Sequence, residues 1–311
     1  LILTDYNVPH ACNLQVYATE LLAWASNYPE PVHVLWRSLP LVVLLVILAA
    51  AFWACWRRWR EAPSETSLAP VRREVSAWPA WCTTLALVAA PQLGLQSQAV
   101  LLGGMSETLR TYGAEMVAGF SLSLVGGLLA LWVGLAVSTW TTWDRPAMLL
   151  LFAAGFLPAA LIGKALAITY VHVPAIYDHW PILVLVYAAR FAWIGALVGW
   201  LMRAGGSDDL ERVAGLDGAT AEQVFWRVRV ALHGPLVLCG WLAASGFCLA
   251  ELAAASQVAL PQYGLLSMIL IEKFHRFEEQ MLVSISLTLQ LLPLVAAGVL
   301  ILVLSRRASG A

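Results

Sequence analysis

Charge is scarce in this sequence. Only 12% of its 311 residues are Asp, Glu, Lys or Arg, 60% are hydrophobic, and the mean hydropathy is +0.76. A soluble domain carries about 25% charged residues, so the composition excludes an ordinary water-soluble globule and leaves a chain whose solvent is largely lipid. The cysteines are few: Cys12, Cys55, Cys82, Cys239 and Cys248. None forms a C-x-x-C pair and four lie in or beside apolar runs, which argues for small buried hydrophobes and against a disulfide frame or zinc site. A phosphate loop of the form G-x-x-x-x-G-K-[ST] is absent; the one Gly-Lys, Gly163-Lys164, lies inside an apolar stretch and runs into Ala165. No leader with a basic start and a small-residue cleavage site opens the chain. It begins at Leu1 in mid-pattern, as expected of a polypeptide with further sequence upstream.

Long apolar runs are what the sequence has in plenty. A bilayer core of about 30 Å needs roughly 20 mostly apolar residues in helix. Seven stretches meet that need, at approximately 36–56, 79–95, 115–139, 147–170, 181–202, 236–255 and 281–304. The second is diluted by Pro91, Gln92, Gln96 and Gln98. Trp36, Trp53, Trp78, Trp81, Trp140, Trp143 and Trp180 fall near the ends of these runs, at the interface that amphipathic indoles prefer. The expected fold class is all-α: a polytopic transmembrane helical bundle of about seven spans.

Orientation follows from the 18 basic residues. With 57–78 placed inside, twelve fall in inside segments (Arg57, Arg58, Arg60, Arg72, Arg73, Arg145, Arg203, Arg212, Arg227, Arg229, Arg306, Arg307) and four outside (Arg37, Arg110, Lys273, Arg276), while Lys164 and Arg190 lie within spans. A bias of this size over short loops predicts a cytoplasmic C-terminus and the first 35 residues outside. The mixed charges, Pro63, Pro70, Ser64 and Ser67 of 57–78 mark a cytoplasmic linker. The stretch holding Pro9, Leu14 and Glu20 resembles the one holding Pro261, Leu266 and Glu272; each is followed by an apolar run and then Arg-Arg. The simplest layout is an external loop and last span of one unit (1–56), the linker (57–78), and a complete six-span second copy (79–305).

The inside loop 203–235 has helical patterns of its own. Ser207 is positioned to cap a short helix with Asp208 and Asp209 in its first turn, and Leu210, Val213 and Ala214 share a face. Gly218 supplies a turn. Thr220 and Gln223 have capping-box spacing for a second helix on which Val224, Phe225, Val228 and Leu232 form one apolar face flanked by Arg227 and Arg229. Two short amphipathic helices about a glycine hinge need something to cover them, either the membrane surface or a protein groove.

This stretch, ERVAGLDGATAEQVFWRVRVALHGP, resembles the EAA loop of binding-protein-dependent ABC importer permeases. The family glycine matches Gly218 within the run Leu216, Asp217, Gly218, Ala219; its V-F-x-R-V matches Val224, Phe225, Arg227 and Val228; its later proline matches Pro235. Glu211 lies one residue before the motif's Glu position, which holds Arg212; Val213 replaces an alanine, Ala214 matches, and Ala231 replaces a proline. The resemblance implies a MetI-like permease fold, with this loop as the coupling element that seats in a cytoplasmic ABC ATPase dimer. ATP would be bound and hydrolysed on that partner; this chain would bind no cofactor and no resident metal. An extracytoplasmic solute-binding protein and a second permease half complete the implied partners, with the lipid bilayer and without nucleic acid, in a bacterial inner membrane. The two-unit layout is similar to iron(III) and thiamine permeases, which makes iron(III), then thiamine, the expected substrates.

Arg190, Glu251 and Lys164 are the ionisable residues of the spans that stand out. Arg190 is central, where an unpaired charge costs on the order of 3 kcal/mol or more. It faces either a transport pathway or, more simply, an ion pair or carbonyl clamp, with Glu251 as candidate partner. Lys164 lies near a span's outer end, where it either simply snorkels or joins Arg190 and Glu251 as a residue of the transport pathway. Tyr170, His172, Tyr177, Asp178 and His179 gather in the outside loop 171–180 and its edge; these side chains suit either a ferric ion or, more simply, an interface loop. Gly195 and Gly199 form a G-x-x-x-G that predicts close helix packing. An ion-coupled secondary transporter is the alternative; it calls for intramembrane carboxylates or broken helices. A polytopic membrane enzyme would need a clustered His, Asp or Glu constellation.

Overall fold

A computed structural model describes residues 104–140, 144–204, 208–258, 265–276, 281 and 283–287, and positions 20, 23, 32–33, 36–44, 46–47, 50–51, 94 and 97. The linker 57–78, the run 79–93, most of the run 281–304 and Ser207 lie outside the described residues. Of the first run, 36–44 is helical.

The described residues form helices and no strand. In chain order they are α1 (Gly104–Trp140), α2 (Asp144–Phe156), α3 (Ala159–Tyr170), α4 (Pro174–Tyr177), α5 (Pro181–Ala204), α6 (Asp208–Leu216), α7 (Ala221–Gln223) running into a π-helical segment (Val224–Val230), α8 (Gly234–Ala250), α9 (Ala253–Ser256) and α10 (Leu266–His275). Two helices are long and apolar enough to cross a membrane, Ser106–Ser138 and Pro181–Arg203. Two bent pairs, Leu150–Phe156 with Ala159–Tyr170 and Ala221–Val230 with Gly234–Ala250, pass the same test together. The chain is therefore a helical membrane protein with two to four candidate spans among the described residues.

The central element is α5. Of its most apolar stretch 78% is buried, against 39% for α1, and Ile182, Leu183, Val186, Tyr187, Phe191 and Ile194 form the middle of the main core. Small residues make the contact with α1 close. A Cβ on Gly134 would overlap the carbonyl of Ala192 and the amide of Ala196, and one on Gly195 would overlap the Leu131 carbonyl. Gly199 lies as tightly against Ser138, so the packing predicted by the G-x-x-x-G spacing is present, and its partner is α1. The indole of Trp241 on α8 donates to the Leu124 carbonyl at 2.9 Å, which fixes the third helix to the pair.

Three spans differ from the expected ones. The run expected at 115–139 belongs to a helix that begins at Gly104, with a kink at Tyr112. Its first turns are amphipathic: Thr108 donates to the Met281 sulfur at 3.2 Å, and Met116 packs with Ile285. The polar residues needed there lower the hydropathy and hide the helix start. The run 147–170 is interrupted: α2 and α3 meet at 106°. Pro158 has no N–H, and its ring disfavours helical backbone at Leu157. The run 236–255 ends early, with α8 stopping at Ala250 and α9 resuming at Ala253 after the non-helical Glu251 and Leu252.

Candidate functional site

Residues 208–232 form a hairpin whose turn is specified residue by residue. Helix α6 ends at Leu216, and Gly218 two residues beyond takes φ 83°, a left-handed conformation that glycine adopts without a Cβ penalty. The Gly218 amide donates to the Gly215 carbonyl at 3.1 Å and the Ala219 amide to the Ala214 carbonyl at 3.0 Å, so carbonyls orphaned at the helix end are satisfied in a Schellman arrangement. Thr220 then caps the second arm. Its hydroxyl accepts from the Gln223 amide at 3.3 Å, and the Gln223 side chain accepts from the Thr220 amide at 3.0 Å, the reciprocal box that the spacing predicts.

The two arms are clasped by one ion pair. Arg229 donates through Nε to Glu211 Oε1 at 2.8 Å and through Nη2 to Oε2 at 2.5 Å. Both side chains are mostly covered, at 16% and 17% exposure. The resemblance placed Glu211 among the residues offered to a partner; in the structure its carboxylate is engaged within the hairpin.

The apolar residues of the second arm divide between two sides. From Val224 to Val230 the backbone is π-helical; each turn holds more residues than an α-turn, so the spacing that would align Phe225 with Val228 and Leu232 does not hold. Phe225 is buried, 6.5 Å from the Trp132 ring, and Trp226 packs at a tilt 5.1 Å from the same ring. The hairpin is thereby anchored to α1. Its other side is open: Leu210, Val213, Ala214 and Asp217 face Arg227, Val228, Ala231 and Leu232 across a shallow groove, and Leu216 beside it is 88% exposed. Of the residues expected to serve coupling, Ala214, Asp217, Arg227 and Val228 line this groove, Gly218 and Ala219 build the turn, Arg212 is exposed, Val224 is half-buried and Phe225 faces inward. Trp132 and Trp226 went unnoticed in the sequence. A tryptophan in mid-span, away from the interface its fellows occupy, was the available signal.

Within the bundle, Arg190 and Glu251 meet. Arg190 Nε is 3.5 Å from Glu251 Oε2, and Arg190 Nη1 donates to the carbonyls of Gly155 and Leu157 at 2.6 and 2.5 Å. The other oxygen, Glu251 Oε1, accepts from the Ala254 amide at 2.9 Å. Both the ion pair and the carbonyl clamp that the sequence suggested are present. Lys164, half-buried on α3, makes no ion pair with Glu251. Glu115, outside the reckoning of intramembrane carboxylates, lies on the long apolar helix with a buried Oε2 that has no hydrogen-bond partner. In the 170–180 loop, Tyr170 and Tyr177 pack on the core while His172, Asp178 and His179 are exposed. No group of three His, Cys, Asp or Glu side chains is placed to hold a metal among the described residues. Comparison with known proteins adds no relative: no protein-family model matches the chain, and no curated protein matches it.

Proposed function

We propose that this chain is the permease subunit of an ATP-driven, binding-protein-dependent importer, a bundle of about seven spans in a bacterial plasma membrane with hairpin and C-terminus in the cytoplasm. The observation that carries this reading is the hairpin: capped, turned and clasped from within, yet presenting an apolar groove outward. A surface so ordered on the inside and so bare on the outside suits docking to a protein. The occupant we assign is one subunit of a cytoplasmic ABC ATPase dimer, and the Phe225–Trp226–Trp132 contact supplies the rigid link by which its closure on ATP would tilt α1 and switch access between the two sides. Hydrolysis would belong to the ATPase; this chain would contribute the pathway, together with a second permease half and a solute-binding protein outside. Iron(III), or thiamine, is the substrate favoured by the two-unit layout.

The test is to look for an ABC ATPase among the neighbouring genes and to reconstitute the chain with it. Leu216→Asp and Leu232→Asp, both on exposed positions, are expected to abolish co-elution and stimulated hydrolysis while leaving the permease folded. Retained co-elution in both variants would overturn the reading. A charge at Phe225 is a poor probe, since it would be buried against Trp132. The second reading, an ion-coupled secondary transporter, is favoured by one observation, the interrupted helices at Leu157–Pro158 and Glu251–Leu252, since carriers of that kind bind ions at such breaks. Solute uptake that persists without any ATPase and collapses without an ion gradient would establish it.

A further inference from the structure

The two helix interruptions are pressed together around one guanidinium. Helices α3 and α9 approach so closely that a Cβ on Gly163 would overlap the Ala254 carbonyl. At the first break the turn recloses on Pro158, whose carbonyl receives the amides of Leu161 at 3.0 Å and Ile162 at 3.4 Å. That leaves the Leu157 carbonyl without the amide an unbroken helix would give it. Arg190 Nη1 sits between this oxygen and that of Gly155, at 2.5 and 2.6 Å. The third oxygen is Glu251 Oε2, from the second break. Two main-chain carbonyls and a carboxylate are the donor set of a hard cation, which sits roughly 2.3–2.6 Å from such oxygens when it is the size of calcium. Broken helices in ion-coupled carriers hold sodium with unwound carbonyls of this kind.

We propose that the Gly155 and Leu157 carbonyls and the Glu251 carboxylate form a cation site that the chain fills with its own tethered guanidinium. Arg190, 5% exposed, is then a positioning residue. It does for the two breaks what a bound ion does elsewhere, and it leaves the wild-type bundle with no need of that ion. The inference holds whether or not the hairpin docks an ATPase.

The test uses the full chain in lipid nanodiscs, with thermal unfolding followed by tryptophan fluorescence in choline chloride, in sodium chloride, and in choline with low-millimolar guanidinium chloride. The wild-type midpoint is expected to be the same in all three. Arg190→Ala is expected to unfold about 5–10 °C lower in choline and to recover most of the difference with guanidinium or sodium. The double variant Arg190→Ala/Glu251→Ala is expected to show no recovery. An Arg190→Ala protein indifferent to both cations would overturn the proposal, as would equal recovery in the double variant, which would place the cation elsewhere. Should Arg190→Ala not fold, Arg190→Gln, two bonds shorter and uncharged, goes through the same series, and its indifference overturns the proposal equally.

Discussion

Glu211 and Arg229 are separated by 18 positions, and their bidentate contact turns two short helices into one body. Hydrogen bonds to charged groups contribute about 1.5–3 kcal/mol, and this pair is covered enough to keep much of that value. Neither arm is long enough to be stable alone, since isolated helices under about 12 residues are marginal in water. Removing one partner should therefore open the hairpin rather than merely weaken it. Glu211→Ala or Arg229→Ala is expected to speed amide hydrogen exchange in 210–216 about tenfold or more, the change that 1.4 kcal/mol produces. The exchanged pair, Glu211→Arg with Arg229→Glu, is expected to return exchange toward the wild-type rate, and Arg229→Lys to do so only in part, because an ammonium cannot form the fork. Unchanged protection in the single variants would show that packing on Trp132, not the clasp, holds the arms.

At the scale of elements, what was legible in the sequence was what local chemistry determines. The glycine turn and capping box of 217–223 could be read because each bond lies within a few residues of its partner. Arg190 and Glu251 could be paired because a charge in a span has few alternatives. The break at Leu157–Pro158 was signalled by its proline and still passed over, because apolar residues on both sides read as one run. The π-helical segment left no mark at all: it accompanies the seating of Phe225 and Trp226 on Trp132, a contact across 93 or more positions that no periodicity records. The close contact of α1 with α5 was half legible, since the glycines of α5 were evident and Gly134 opposite them was not. Matched substitutions test that contact. Gly134→Ala places a methyl group into the Ala192 carbonyl and is expected to cost about 1–3 kcal/mol or more by overpacking. Gly246→Ala meets nothing within 4 Å and is expected to be neutral or to gain about 0.5–1 kcal/mol, the helical penalty of glycine. Unfolding midpoints that fall equally in both variants would contradict the contact.

At the scale of the whole molecule, the distribution of charge and the fold bear on one question: which way the bundle faces. The distribution of basic residues predicts 203–235 on the cytoplasmic side and 171–180 opposite. The structure places these two segments at opposite ends of α5, a helix of 24 residues, about 36 Å long at 1.5 Å per residue and thus long enough to separate them across a bilayer core. Single cysteines at exposed positions test the orientation directly, in a background where the five native cysteines are replaced. Leu216→Cys is expected to react with a membrane-impermeant maleimide only in inside-out vesicles, and Val173→Cys, exposed beside α4, only in spheroplasts. The converse pattern would put the hairpin where no nucleotide-driven partner can reach it, and the importer reading would fail with it. Labelling of both from the same face would count against α5 as a full crossing, because its two ends could not then lie on opposite sides.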